Sequence, residues 1–229
     1  KPATNRMVPW LDLFPKLLWF RPSSLVDRSH APGGIVLREF WSKYRGPGVH
    51  PDDRAFLDER CCLDWTPADA EAHARTFERE TALHDKLHIN LCPQPFVGNL
   101  ETASVYVLFG NPGFAISDYA DEAKNSEYAA ACARNLRQSG QGSFLLLPEA
   151  IGTGAANYWQ GRLRSLIKAL AERLAISIAA ATDEVILRVT LIEAGAYHSK
   201  GFPGAWCDDL PSSRAARAFV HRVLVPKAQ

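Results

Sequence analysis

Two short apolar stretches, residues 104–109 and 185–192, place the strongest constraint on the fold of this chain. Both are rich in β-forming residues, and both stop abruptly at polar and turn-forming residues. Between them, apolar residues recur at helical spacing from Trp159 to Leu174, and a further helix is predicted to begin near Leu210. Strand, helix, strand and helix in this order are typical of a mostly parallel sheet with crossover helices, so we predict an α/β fold.

The composition indicates a soluble globular protein without a cofactor. The 229 residues are 47% hydrophobic and 22% charged, which suffices for one sizeable core plus an extension. Five cysteines without C-x-x-C spacing indicate neither a disulfide framework nor a zinc or iron–sulfur site, so we expect no metal and a reduced, cytoplasmic setting. No apolar run is long enough to span a bilayer, and a net charge of +1 neither favours nor excludes nucleic acid.

Residues 1–92 are expected to form a helical and irregular extension that packs on a core made by residues 93–229. Apolar residues at helical spacing in segment 10–19 predict an amphipathic helix that docks on the core or, as the alternative, lies on a membrane surface. Thr66 followed by Pro67 and Asp69 is a helix-start signal, which predicts a helix over about 67–84. In the core, Asn157 is expected to cap the long helix that contains Trp159.

The first apolar stretch ends in a turn, Gly110-Asn111-Pro112-Gly113, that is the best functional clue in the chain. Open α/β folds bind their ligands at the carboxyl ends of the strands, where this turn would present Asn111. The glycines allow a ligand to approach the backbone, and the proline holds the asparagine in place. The alternative is a tight turn in which Gly and Pro serve only the backbone.

This turn resembles the first motif of the uracil-DNA glycosylase superfamily, in particular Gly-x-Asn-Pro-Gly of the mismatch-specific uracil/thymine branch. Asn111-Pro112-Gly113 matches that motif, whereas Phe109 takes the place of its first glycine. The resemblance covers about 93–225, and it implies a three-layer sandwich with a central sheet flanked by helices. It also implies that Asn111 is catalytic and positions the water that attacks the sugar, with Gly110, Pro112 and Gly113 bordering the substrate.

The end of the second stretch supplies a candidate base reader under the same resemblance. Glu193 aligns with the residue that reads the Watson–Crick edge of the flipped base, and an ionised carboxylate suits the exocyclic amine of cytosine. Gly113 stands where the uracil-specific branch carries a tyrosine that blocks the pyrimidine 5-position, so a modified cytosine is a reasonable substrate. Glu193 is alternatively a second acid–base group or a salt-bridge partner.

The residues that follow these two strand ends are further candidates. Tyr197 is a candidate for stacking, His198 for catalysis as a proton donor, and Ser199 and Lys200 for contacts to DNA phosphates. The alternative for this segment is a polar loop with one packed tyrosine. Two aromatic residues after the turn are candidates for stacking on the flipped base, although either is equally suited to the core: Phe114 and Tyr119.

These features predict a monomeric, monofunctional DNA glycosylase that flips a uracil-like or 5-modified pyrimidine and hydrolyses its glycosidic bond, in repair or in defence against phage. The family carries a second motif with a histidine on a later strand, so we expect the core to be incomplete at its C-terminal end or His198 to compensate. One alternative is a module of the same fold that binds nucleic acid without cutting it. Another is a hydrolase that uses His198 and Ser199.

Overall fold

The computed structural model describes residues 32–46, 48–139, 142–201 and 205–225. The amphipathic helix predicted for segment 10–19 therefore lies outside the described residues. Among the helices of the described segments, none is both long and apolar enough to cross a membrane.

Eight α-helices and five strands make up the regular structure of the described segments. The helices are α1 (Pro32–Ser42), α2 (Pro51–Arg54), α3 (Pro67–His73), α4 (Ser117–Lys124), α5 (Ser126–Leu136), α6 (Gly154–Leu174), α7 (Ile178–Arg188) and α8 (Pro211–Phe219). The strands are β1 (Cys62–Leu63), β2 (Leu87–His88), β3 (Phe96–Val97), β4 (Val105–Phe109) and β5 (Val189–Glu193). A π-helical turn, Val220–Leu224, extends α8.

A three-stranded sheet with the order β3-β5-β4 lies at the centre of the fold. The central strand β5 runs parallel to β4 and antiparallel to β3, while β1 and β2 form a separate parallel pair. The prediction of an α/β fold is confirmed in this general form, because helices and strands are mixed and the two long strands are parallel. Strand β3 runs antiparallel to β5, unlike the parallel arrangement expected from the sequence. It enters the sheet directly from the extended Pro93–Pro95 segment.

Successive residues of the sheet face two different apolar cores. Val107 and Leu191 pack with residues of α5, α6 and α7, whereas Tyr106 and Ile192 pack with residues of α1 and α8. This alternation follows from the two-residue period of a strand, which sends neighbouring side chains to opposite faces. Helices therefore cover both faces of the sheet.

The predicted strand 185–192 is wrong in its first half. Residues 185–188 form the last turn of α7, and the strand begins only at Val189. Ser177 caps α7 by accepting a hydrogen bond from the Ala180 N–H, and the helix buries Val185 and Ile186 while Arg188 stays exposed. Helical packing onto the core thus overrides the β-forming preference of this run, which periodicity alone does not reveal.

Two other helix boundaries also differ from expectation. Thr66 does cap α3, in a reciprocal arrangement with Asp69, but the helix ends at His73 instead of continuing to 84. The Thr76 hydroxyl donates to the carbonyl oxygen of His73, and short 3-10 turns follow at 77–79 and 81–83. The cap of α6 is Thr153, whose hydroxyl accepts from the Ala156 N–H, and not the exposed Asn157.

The N-terminal segment packs closely on the C-terminal helix. Leu37 and Trp41 of α1 lie in one apolar cluster with Phe219. Asp53 of α2, which is fully buried, accepts hydrogen bonds from the Tyr197 hydroxyl at 2.6 Å and from the Ser212 N–H at 2.9 Å. A carboxylate at the first turn of α8 complements the helix dipole, so α2 and α8 are joined by a charge-assisted contact.

The close approach of β3 and β5 makes a glycine necessary at position 98. Gly98 has φ of +119°, and a Cβ there would lie 2.5 Å from Thr190 Oγ1. We expect Gly98→Ala to lower the free energy of unfolding by more than about 2 kcal/mol, because it combines backbone strain with this clash. Gly161→Ala on α6, where a Cβ meets nothing within 4 Å, should instead stabilise by up to about 1 kcal/mol. Urea unfolding of both variants measures the difference, and equal effects would contradict this account of the sheet.

Candidate functional site

Strands β4 and β5 end side by side, as the sequence predicted for the two polar segments. Phe109 stands opposite Glu193 in the parallel register. The pairing continues past the strand ends, where the Ala194 N–H donates to the Phe109 carbonyl at 2.9 Å and the Gly195 N–H donates to the Gly110 carbonyl at 2.7 Å. The Asn111 turn and the segment after Glu193 therefore share one edge of the sheet.

The Asn111 amide has a single well-determined orientation. Its Nδ2 donates to the Ser199 carbonyl oxygen at 2.8 Å and to Ser199 Oγ at 2.9 Å, and the Ser199 hydroxyl itself donates to the Gly201 carbonyl at 2.6 Å. A carbonyl oxygen can only accept, so the nitrogen of the amide must face Ser199. The amide oxygen has no partner among the described residues and is not buried, which leaves it available to a water molecule.

The backbone around Asn111 leaves space for a ligand. Gly113 has φ of +72°, and a Cβ built on it would meet no atom within 4 Å. Gly110 is exposed, and Pro112 and Phe114 are half-buried. A larger residue at position 113 would project into this open space, so the glycine sets how wide the site is.

Glu193 is a buried carboxyl that lacks a full set of hydrogen-bond partners. Only 4% of the residue is exposed, and its Oε2 is buried without a partner among the described residues. Burial raises the pKa of Glu193 to about 8, so the carboxyl is largely neutral at pH 7. Its side chain lies on the same sheet face as Leu191, which is the face covered by α6. A salt bridge, one of the roles considered for this residue, is not formed within the described segments.

His198 does not present a free ring nitrogen to this site, contrary to the expectation that it donates a proton. Its Nδ1 lies 2.9 Å from the Gly113 carbonyl oxygen, and its Nε2 lies 3.2 Å from the Cys92 carbonyl oxygen. Both nitrogens face main-chain acceptors, and the Ser199 hydroxyl is engaged with Gly201 and Asn111. The geometry therefore contradicts a His198–Ser199 nucleophile pair and makes His198 a link between backbone segments.

Tyr197 and Lys200 also have structural partners. Tyr197 is 1% exposed, and its hydroxyl donates to Asp53 and accepts from the His50 N–H at 3.1 Å, so it is a core residue and not a stacking surface. The Lys200 ammonium pairs with Glu78 and lies 5.7 Å from the centre of the Phe77 ring. The expected polar loop after β5 is thus mostly packed into the protein.

The two aromatic candidates after the turn behave differently. Tyr119 is 3% exposed, and its hydroxyl lies 3.2 Å from Nδ1 of His88, so burial removes it from the surface that a base can reach. Phe114 is half-buried and stacks on His88 with ring centroids 3.5 Å apart. Phe114 remains the candidate for contact with a planar ligand.

Two acidic residues of α4 lie near the site and were not identified from the sequence. Glu122 accepts from the Cys92 N–H with both carboxylate oxygens, at 3.0 and 3.1 Å, and burial raises its pKa to about 7. Burial also raises the pKa of Asp118, against the opposing effect of nearby His198. Their spacing of four residues places them on one helix face, which is the only sequence signal for the pair. Within the described ranges, no group of three or more potential ligands is arranged to hold a metal.

Two surface clefts lie apart from the strand ends. One, of about 560 Å³, is bordered by α5 and α7 and includes Arg134, Phe144 and Ile186. The other, of about 380 Å³, is bordered by α4 and by Ile151. Asn111 and Glu193 line neither cleft, so the candidate site is identified by its polar groups and not by a deep cavity.

The unpaired carboxyl of Glu193 should reduce stability in a pH-dependent way. Its pKa is raised above the usual 4.5, so unfolding releases a proton and the folded state loses stability as the pH rises from about 4.5 to about 8. The unfolding free energy of Glu193→Gln minus that of the natural protein should therefore grow by about 1.4 kcal/mol for each pH unit in this window. Urea titrations from pH 4.5 to 9 measure this slope, with exposed Glu101→Gln as the control. A difference between the two proteins that is independent of pH would contradict the buried, neutral carboxyl.

Comparison with known proteins adds no relative on which to base a function. No protein-family model matches this chain, and neither a curated protein nor a solved structure matches it. The polar groups at the ends of β4 and β5 are therefore the features that indicate a function.

Proposed function

We propose that this chain is a monomeric, cytoplasmic DNA glycosylase that hydrolyses the N-glycosidic bond of a uracil-like or 5-modified pyrimidine flipped out of DNA. The observation that carries the proposal is the Asn111 amide beside the end of β5, held by Ser199 with an oxygen that has no partner among the described residues. Helices on both sheet faces support the three-layer sandwich that the resemblance to the uracil-DNA glycosylase superfamily implies. The reaction leaves an abasic site, and repair and defence against phage are both compatible with it.

The proposed role of Asn111 is to orient the attacking water. The amide oxygen accepts a hydrogen bond from the water, whose oxygen then forms a bond to the anomeric carbon as the bond to the base breaks. The base departs with the bonding electron pair, and the water loses its proton to solvent. An amide does not take up that proton, so the rate depends strongly on stabilisation of the departing base.

Glu193 is proposed to read and stabilise the base in its neutral form. A neutral carboxyl donates one hydrogen bond and accepts another, so it matches the paired donor and acceptor of either a cytosine or a uracil edge. This differs from the ionised carboxylate expected from the sequence, which only accepts. The open space at Gly113 supports a substrate with a group at the pyrimidine 5-position.

A second candidate function is a module of the same fold that binds nucleic acid without cutting it. The specific observation in its favour is that both ring nitrogens of His198 face backbone carbonyls, so this histidine does not assist a departing base. Binding of DNA without formation of abasic sites would favour the module.

Substitution of Asn111 tests the proposed chemistry. We expect Asn111→Ala to lower the rate of base release by about 10²–10³-fold, because the water loses its orienting acceptor. Ser199→Ala should lower it by about tenfold, since one of two contacts that hold the amide is removed. Asn157→Ala, which alters an exposed asparagine on α6, should leave the rate unchanged. The measurement is alkaline cleavage at abasic sites in oligonucleotides that contain uracil or a 5-substituted cytosine. No base release by the natural protein, or no effect of Asn111→Ala, would refute the proposal.

The pH dependence of the rate tests the state of Glu193. The pKa of about 8 predicts that kcat/KM falls as the pH rises through 8, because the carboxyl loses the proton that it donates to the base. Glu193→Gln keeps a donor and an acceptor at every pH, so it should retain activity and remain active above pH 8. An inactive Glu193→Gln variant that is folded would show instead that Glu193 acts through its ionised form or by proton transfer.

A further inference from the structure

His88 connects the N-terminal segment to the candidate site. It lies at the end of β2 and is fully buried, and its main-chain N–H donates to the His198 carbonyl at 2.8 Å. Its Nδ1 lies 3.2 Å from the Tyr119 hydroxyl, which fixes the plane of the imidazole ring. The main chain of His88 is therefore tied to His198 and its ring to Tyr119, and both partners lie near the Asn111 turn.

The imidazole of His88 covers one face of Phe114. The two rings lie 3.5 Å apart and within 13° of parallel. Phe77 and Tyr119 contact Phe114 edge-on, at 5.2 and 6.0 Å between centroids, and among the described residues no aromatic ring stacks on its opposite face. Phe114 is half-buried and follows Asn111 by three residues. One face of its ring is thus supported by His88, while part of the Phe114 side chain stays exposed.

This arrangement is maintained at some loss of stability. Nε2 of His88 is buried without a partner in the described segments, and burial, together with the charge of nearby His198, lowers its pKa to about 3. An unpaired buried nitrogen is destabilising, and an apolar side chain of similar size would avoid the loss. The presence of a histidine at position 88 is therefore better explained by its effect on the position of neighbouring side chains than by its own contribution to stability.

We propose that His88 is a positioning residue that holds the Phe114 ring as the platform on which the flipped pyrimidine stacks, so that the N-terminal segment completes the site. The inference rests on the proposed function for the identity of the ligand. It assigns His88 of β2 a part in substrate binding, through a contact behind the Phe114 ring and not through a contact with the base.

The test combines a fluorine NMR probe at position 114 with separate measurements of KM and kcat. With 4-fluorophenylalanine in place of Phe114, the fluorine NMR signal reports the ring environment independently of activity. We expect His88→Leu to shift that signal and to raise KM for a uracil- or 5-methylcytosine-containing oligonucleotide by about tenfold, within the range of base–aromatic stacking. The value of kcat should stay within about twofold, since stacking is uniform binding of ground and transition states. His88→Phe restores a flat ring and should recover most of KM.

His50→Leu is the matched control. His50 is also fully buried and stacks on Phe40 at 4.0 Å and 17°, but this pair lies in the α1–α2 region. It should lower stability, because both ring nitrogens of His50 have hydrogen-bond partners, and it should leave KM and the fluorine signal unchanged. An unchanged signal in His88→Leu, or a shifted signal with unchanged KM, would overturn the inference.

Failure of the proposed function is distinguishable from failure of this inference. If the natural protein releases no base, free uracil and free 5-methylcytosine are titrated against the fluorinated protein. A ligand-induced shift that is lost in His88→Leu supports the platform even without catalysis. The absence of any shift in the natural protein overturns it.

Discussion

The parallel pairing of β4 with β5 is the contact on which the rest of the site depends. All five residues of β5 are buried, and the strand is hydrogen-bonded on both sides, so a slip by one residue would send every side chain to the opposite core. That register sets Phe109 opposite Glu193 and continues into the contact between Gly195 and Gly110. A carboxyl and an amide from distant parts of the sequence are thereby held at one edge without any direct bond between them.

Burial at this edge determines the chemistry of both polar groups. Asn111 uses its two amide hydrogens on Ser199, which leaves a single acceptor atom facing outward. Glu193 is desolvated and forms no ion pair with a described residue, so it holds its proton where an exposed glutamate would lose it. The site therefore combines an oriented acceptor with a neutral donor, a pairing suited to a leaving group that gains negative charge.

The sequence was sufficient to predict the two strand ends and the long helix α6, because these depend on local patterns. Val105 to Phe109 form a compact apolar run before a turn, and the stripe from Trp159 to Leu174 has a clear helical period. The end of α7 was not predictable, since Val185 and Ile186 favour a strand locally and become helical only because the core accepts them on one side. The roles of Tyr197 and His198 depend on partners about 85 to 145 residues away, Asp53 and Gly113, which no local pattern identifies.

Two buried polar atoms near the site, Oε2 of Glu193 and Nε2 of His88, have no hydrogen-bond partner among the described residues. Evolution removes such groups easily when only stability is at stake, because glutamine, leucine or phenylalanine would fill either position. Three other buried atoms of the described residues also lack a partner, namely Trp41 Nε1 and the hydroxyls of Ser212 and Ser213. Buried Asp53, by contrast, has two partners, and buried Asn135 donates to the Phe96 carbonyl and accepts from the Gly98 N–H. Among these five atoms, only those of Glu193 and His88 belong to ionisable side chains, and both lie near the Asn111 turn. Buried ionisable groups without partners are what is expected where a protein retains polar residues for a ligand and not for its own fold.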